Sequence, residues 1–180
     1  MSKVSIAELA GVSLQKRELF ESDLGYFTNT FKQEGEQEVF VQDSISYIKK
    51  VATVKGMHLQ NSPFAQAKFV TVLQGEIIDY IVDLRPTSAT YLNHASVTIS
   101  KENKNLLFIP RGFAHGYITT QENTMICYKV DNHYSSEHEI TINWQDSTLN
   151  IEWPKFSEYF LSEKDKNSLT LKELRIHIND

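Results

Sequence analysis

Apolar and polar residues alternate over short distances through the middle of the chain. Runs rich in Val, Ile, Leu, Thr and aromatic residues lie at 38–41, 44–49, 69–73, 77–84, 95–99, 106–109, 117–120, 125–130 and 140–144. Runs of this length and composition form strands, because successive side chains of a strand point to opposite faces. Turn formers separate them, among them Gln74-Gly75, Pro86-Thr87-Ser88, Lys101-Glu102-Asn103 and Pro110-Arg111-Gly112. Long amphipathic helical periods are missing from about residue 39 to 153, so the pattern predicts an all-β sandwich or barrel. Helix is expected only near the C-terminus, as a turn over 162–165 with Ser162 as N-cap and a short helix over 169–174.

Length changes this picture little: 180 residues suit a single domain, with its strand core at about 19–154 and a helical tail at about 155–180. A domain of this size hides roughly 70% of its unfolded surface and needs no disulfide or structural metal to fold. The lone Cys127 agrees, since it supports neither an intramolecular disulfide nor a cysteine zinc cluster. No signal peptide and no apolar run of membrane-spanning length is evident, so a cytoplasmic protein is expected. A net charge of -5 argues against nucleic acid as partner, because such binders draw affinity from clustered cations. A small anionic ligand needs only a few local cations and remains compatible.

Three polar clusters interrupt otherwise apolar strands. They are Lys55-Gly56-Met57-His58-Leu59-Gln60, then Gln66-Ala67-Lys68-Phe69-Val70, then Ile109-Pro110-Arg111-Gly112-Phe113-Ala114-His115-Gly116. Ile126-Cys127-Tyr128-Lys129 is a fourth. In the first, alternation puts His58 and Gln60 on one face and Met57 and Leu59 on the other, so one face is polar and carries a proton acceptor. In a barrel such faces point into the lumen.

The spacing Pro110-x-Gly112-x-x-His115 resembles the second motif of jelly-roll cupins. Metal-binding cupins also carry two histidines one residue apart and a nearby acid. His58 has no histidine at 56 or 60, and His94, His133, His138 and His177 show no ligand spacing to it or to His115. The chain is therefore read as metal-free.

The resemblance narrows with Gly56-Met57-His58-Leu59-Gln60, Gln66-Ala67-Lys68, Gly75-Glu76-Ile77-Ile78-Asp79, Val82-Asp83-Leu84-Arg85, Ile99-Ser100-Lys101-Glu102-Asn103, Pro110-Arg111-Gly112-Phe113-Ala114-His115-Gly116, Tyr128-Lys129, Ile151-Glu152-Trp153-Pro154 and Leu161-Ser162-Glu163-Lys164-Asp165. In these segments, in this order, the chain resembles the dTDP-4-dehydrorhamnose 3,5-epimerase family, from about residue 19 to 165. That resemblance implies a cupin jelly-roll barrel and a nucleoside-diphosphate 4-keto-6-deoxy sugar as substrate. The hydrogens at C3 and C5 of such a sugar are acidified by the C4 ketone, so inversion calls for a base, an enolate stabiliser and an opposing acid, with no cofactor. By resemblance His58 is the base, Asp165 its partner, Lys68 the enolate stabiliser and Tyr128 the acid. His115, Gln42, Tyr134, Glu139 and Lys164 match positions that contact substrate, and Ser44 stands at the third place of the family's usual Gln-Asp-Asn triplet, of which Gln42-Asp43-Ser44 keeps two members. A homodimer is implied as well.

The nucleotide side departs from the family. Leu24-Gly25-Tyr26-Phe27-Thr28-Asn29 lacks the usual arginine and glutamate, leaving Asn29 as the polar contact. Lys55 replaces an arginine and gives a point charge where a fork would grip phosphate with two donors. A single-centre epimerase or ketoisomerase on a related nucleotide sugar is the alternative reading, followed by a metal-dependent cupin enzyme.

Overall fold

The computed structural model describes residues 3–32 and 39–174. In chain order the strands are β1 (Lys3–Ser5), β2 (Ser13–Lys16), β3 (Leu19–Ser22), β4 (Gly25–Thr28), β5 (Gln42–Ile48), β6 (Val54–Gln60), β7 (Lys68–Gln74), β8 (Glu76–Asp83), β9 (His94–Ser100), β10 (Asn105–Ile109), β11 (Phe113–Thr119), β12 (Thr124–Val130) and β13 (Glu139–Thr141). Two single-turn helices, α1 (Glu163–Lys166) and α2 (Leu171–Leu174), follow. The all-β expectation with short C-terminal helices holds.

The strands form a six-stranded sheet in the order β1-β2-β10-β7-β12-β5 and a five-stranded sheet in the order β13-β6-β11-β8-β9. Pairing within both is antiparallel. The sheets share no strand, so the expected barrel is a sandwich of two facing sheets. The run at 38–41 gives no described strand: Glu38 lies outside the described residues, as does His177, and β5 begins at Gln42. Strands β1 to β4 are additions that the hydrophobic pattern did not predict.

Period-two alternation explains the layers. Along β8, Ile77 and Ile81 enter the core between the sheets, whereas Tyr80 and Val82 join a second apolar layer on the outer face of the five-stranded sheet. Strand β11 does the same, sending Phe113 and Tyr117 inward and Ala114 and Ile118 outward. Both faces are buried, because residues 142–161 fold back over the outer face with Trp144, Trp153 and Tyr159 stacked beside Tyr80. Trp153 donates its indole N–H to the Trp144 carbonyl at 2.7 Å, so the aromatic layer leaves that donor satisfied.

This return brings the C-terminal segment back to the sandwich. Asp146, almost fully buried, accepts from the Thr148 and Leu149 amides with one oxygen and from the Leu171 amide with the other. α2 is thereby tied to this return, and α1, just before it, meets the end of the sandwich where β6 begins, with Asp165 accepting the Gly56 amide.

Candidate active site

Between the sheets, at that end, lies a cavity of about 370 Å³. Its walls come from the inward positions of β5, β6, β7, β11 and β12, with β13 and α1 at one side. His58, Lys68, Tyr128 and Asp165 all reach it, as do Lys55, His115, Gln42, Tyr134, Glu139 and Lys164. Ser44 is one step removed, accepting a hydrogen bond from the Gln42 amide at 3.1 Å. Asn29 does not line the cavity: it follows β4, whose hairpin with β3 is a separate two-stranded sheet.

His58 on β6 donates through Nε2 to Oδ1 of Asp165 at 2.8 Å. That tautomer leaves the Nδ1 lone pair as the basic position. The same carboxylate oxygen accepts the Gly56 amide at 3.2 Å, and the other accepts the Ser162 hydroxyl at 2.5 Å. Burial pushes the Asp165 carboxyl up, but the hydrogen bonds from His58, Ser162 and Gly56 and the His58 charge outweigh it, holding the carboxyl below its ordinary range. Gly56 can offer its amide here because it adopts φ +116 and lies against β11, where a Cβ would fall 2.5 Å from the Gly116 Cα.

A second histidine–carboxylate pair stands on the neighbouring strands. His115 lies opposite His58 in the β6–β11 register and points Nδ1 at Asp79 of β8, 3.2 Å from Oδ1. Burial depresses the His115 pKa and the Lys68 charge depresses it further, with Asp79 opposing. Lys68 enters from β7, on the facing sheet. Burial brings its ammonium down from 10.5 to about 8, with Asp79 and Glu139 partly holding it up. At neutral pH it is still mostly charged.

Tyr128 projects from β12 beside β7, so the phenol and the His58 imidazole belong to opposite sheets with the cavity between them. At the side, Tyr134 donates to Glu139 at 2.6 Å and Lys164 forms an ion pair with the same carboxylate. Burial raises the Glu139 carboxyl, and the bonds from Lys164 and Tyr134 bring it below its ordinary range. Among the described residues no three His, Cys, Asp or Glu side chains are grouped to hold a metal ion. No described helix is long and apolar enough to cross a membrane.

The sequence pattern assigned no role to Asp79, Tyr117, Gln60, Gln66 or Ser46, all of which serve the cavity. Asp79 had a signal: an acid at an inward position of the apolar run 77–84 must find a buried partner. Gln60 braces the rim, donating to the Phe64 and His133 carbonyls and accepting the Ser135 amide. That contact joins loops far apart in sequence and has no local pattern.

A cavity with a carboxylate-held imidazole on one wall, and a phenol and a half-buried ammonium on the other, is built for proton transfer at carbon next to a carbonyl. On this fold it defines a sugar-nucleotide epimerase of the jelly-roll type, and comparison with known proteins agrees. The family model for dTDP-4-dehydrorhamnose 3,5-epimerase matches residues 6–173, and the chain belongs to that family. The dTDP-4-dehydrorhamnose 3,5-epimerase of Sinorhizobium fredii is 39% identical over 96% of this chain and 90% of its own length. The crystal structure of the Bacillus anthracis enzyme with TDP and PPi bound is 36% identical, with a TM-score of 0.89 over 94% of this chain and 99% of that one. A Legionella pneumophila epimerase in complex with dTDP-4-keto-L-rhamnose is 30% identical, with a TM-score of 0.89 over 95% of this chain and 93% of that one.

Proposed function

We propose that this epimerase inverts C3 and C5 of a dTDP-linked 4-keto-6-deoxy hexose, with His58 as base and Tyr128 as acid. The observation that carries this reading is the pairing of His58 with buried Asp165 on one wall, with Lys68 and Tyr128 on the other. His58 takes the proton from C3 or C5, and the electron pair left behind moves onto the C4 oxygen. The Lys68 ammonium holds that oxyanion, where one well-placed donor contributes about 3 kcal/mol. Tyr128 then gives its phenolic proton to the same carbon from the opposite face. Water resets the phenolate and the imidazolium between steps. His115, kept neutral and turned by Asp79, contacts the sugar. The sequence of steps calls for no redox or metal partner.

The diphosphate lies toward Lys55 and Lys164, with Gln42 and Tyr134 at the nucleoside. Lys55 supplies charge without a bidentate grip, so phosphate is held less tightly than by an arginine. The working unit is a homodimer: β5 is a sheet edge with Ile45 and Tyr47 exposed on its outer face, and the β3–β4 hairpin exposes Phe20, Tyr26 and Phe27. Apolar edges of this kind call for a covering partner. The enzyme is cytoplasmic and supplies precursors of cell-surface polysaccharide.

The test is product configuration by NMR after incubation with 4-keto-6-deoxy-glucose carried on dTDP, UDP, CDP or GDP. Inversion at both carbons of the dTDP sugar is expected. Inversion at one carbon alone would replace this reading with a single-centre epimerase, and preference for another nucleotide would replace the base.

A further inference from the structure

Asp165 is 1% exposed, and its carboxylate accepts three hydrogen bonds. Two arrive at Oδ1, from His58 and the Gly56 amide. The third, from Ser162 at 2.5 Å, is the bond the structure gives Oδ2. Ser162 also accepts the Asp165 amide at 3.2 Å as the N-cap of α1. One hydroxyl thus starts the helical turn that carries Asp165 and fixes the rotation of its carboxylate.

We infer that Ser162 is a positioning residue for the epimerisation: through its hydroxyl it keeps Asp165 ionised and turned toward His58. The inference rests on the reading of His58 and Asp165 as the base pair. A hydroxyl donates more strongly to a carboxylate than to a carboxylic acid, so it favours the proton-free, active form of the pair. Without it the pair binds a proton more tightly, and the acidic limb of the rate profile moves to higher pH. The other titratable groups around the pair are Glu139 on β13, Tyr117 and His115 on β11, Lys55 on β6, and, across the cavity, Lys68 on β7 and Tyr128 on β12. Lys164, next to Asp165 on α1, is held by Glu139. None of these donates to the Asp165 carboxylate.

Capping and positioning can be separated because glycine caps a helix almost as well as serine but has no hydroxyl to donate. Ser162→Gly is expected to move the acidic limb of kcat up by about one pH unit, with kcat near pH 6 down about tenfold. KM should stay within about twofold of wild type, since the bond is made to the base and not to substrate. Ser162→Thr, which restores a hydroxyl, should bring the limb back. A limb that stays in place, or a rate lowered by one factor at every pH, overturns the inference. His58→Asn run alongside distinguishes the two claims. Persisting proton exchange removes the base-pair reading itself, whereas lost exchange with an unmoved Ser162→Gly limb removes only the role of Ser162.

Discussion

Replacing Lys68 with methionine should stabilise the protein while abolishing its chemistry. Methionine keeps the unbranched stem and deletes the charge. Burial has lowered the Lys68 ammonium from 10.5 to about 8. Lowering a pKa by one corresponds to about 1.4 kcal/mol lost by the protonated form. The charged amine therefore costs the folded state on the order of 3 kcal/mol below pH 8. Between pH 8 and 10.5 the unfolded chain keeps a proton on this amine that the folded chain has released. Wild-type stability accordingly rises with pH through that window, and the Lys68→Met variant shows no such slope. Denaturant unfolding at pH 7 should find the variant more stable by about 3 kcal/mol, equivalent to a Tm roughly 6–12 °C higher for a chain of this size. The advantage should shrink as pH passes 8 and be gone above 10.5. Solvent deuterium exchange at the substrate carbons should fall at least about a hundredfold, the usual loss when an oxyanion donor is removed. A variant less stable than wild type at pH 7, or an advantage that does not change with pH, would refute the reasoning about the buried ammonium.

Two further substitutions probe what holds the site together. Gly56→Ala places a Cβ 2.5 Å from the Gly116 Cα on a residue at positive φ, and is expected to lower Tm by more than about 5 °C and abolish activity. An alanine variant with wild-type melting would show that β6 and β11 do not need this close approach. Asp146→Ala removes the acceptor of three amides, including that of Leu171, and should cost about 2 kcal/mol or more. Hydrogen exchange should rise first in residues 171–174, and unchanged protection there would contradict the role given to Asp146 in anchoring α2.

How much of this was legible in the chain depended on where each residue's partners lie. Strand β8 announced itself as the apolar run 77–84, whereas of β11 only 117–119 read as strand, because His115 and Gly116 interrupt its apolar pattern. The β3–β4 hairpin did not announce itself, since Phe20, Tyr26 and Phe27 are exposed and no hydrophobic face alternates with a polar one. His58, Lys68, Tyr128 and Asp165 were found by motif resemblance, and the fold brings all four to one cavity from β6, β7, β12 and α1. Asn29 was placed by the same resemblance, yet in this chain it lies beyond the cavity wall. Ser162 read only as a helix cap, because its second bond depends on how the following turn presents Asp165 to β6. Asp79 passed without a role because its partner His115 is 36 residues away and becomes a neighbour only through the β8–β11 pairing.

Position-resolved deuterium incorporation in D2O tests the central claim most directly, with wild type, His58→Ala and Tyr128→Phe compared on the dTDP-linked keto sugar. The account predicts label with inversion at C3 and C5 for wild type. It predicts almost no label for His58→Ala, and for Tyr128→Phe label that enters with little inversion, because the base still works while the opposing proton is gone. Undiminished labelling by His58→Ala, or full inversion by Tyr128→Phe, would contradict it.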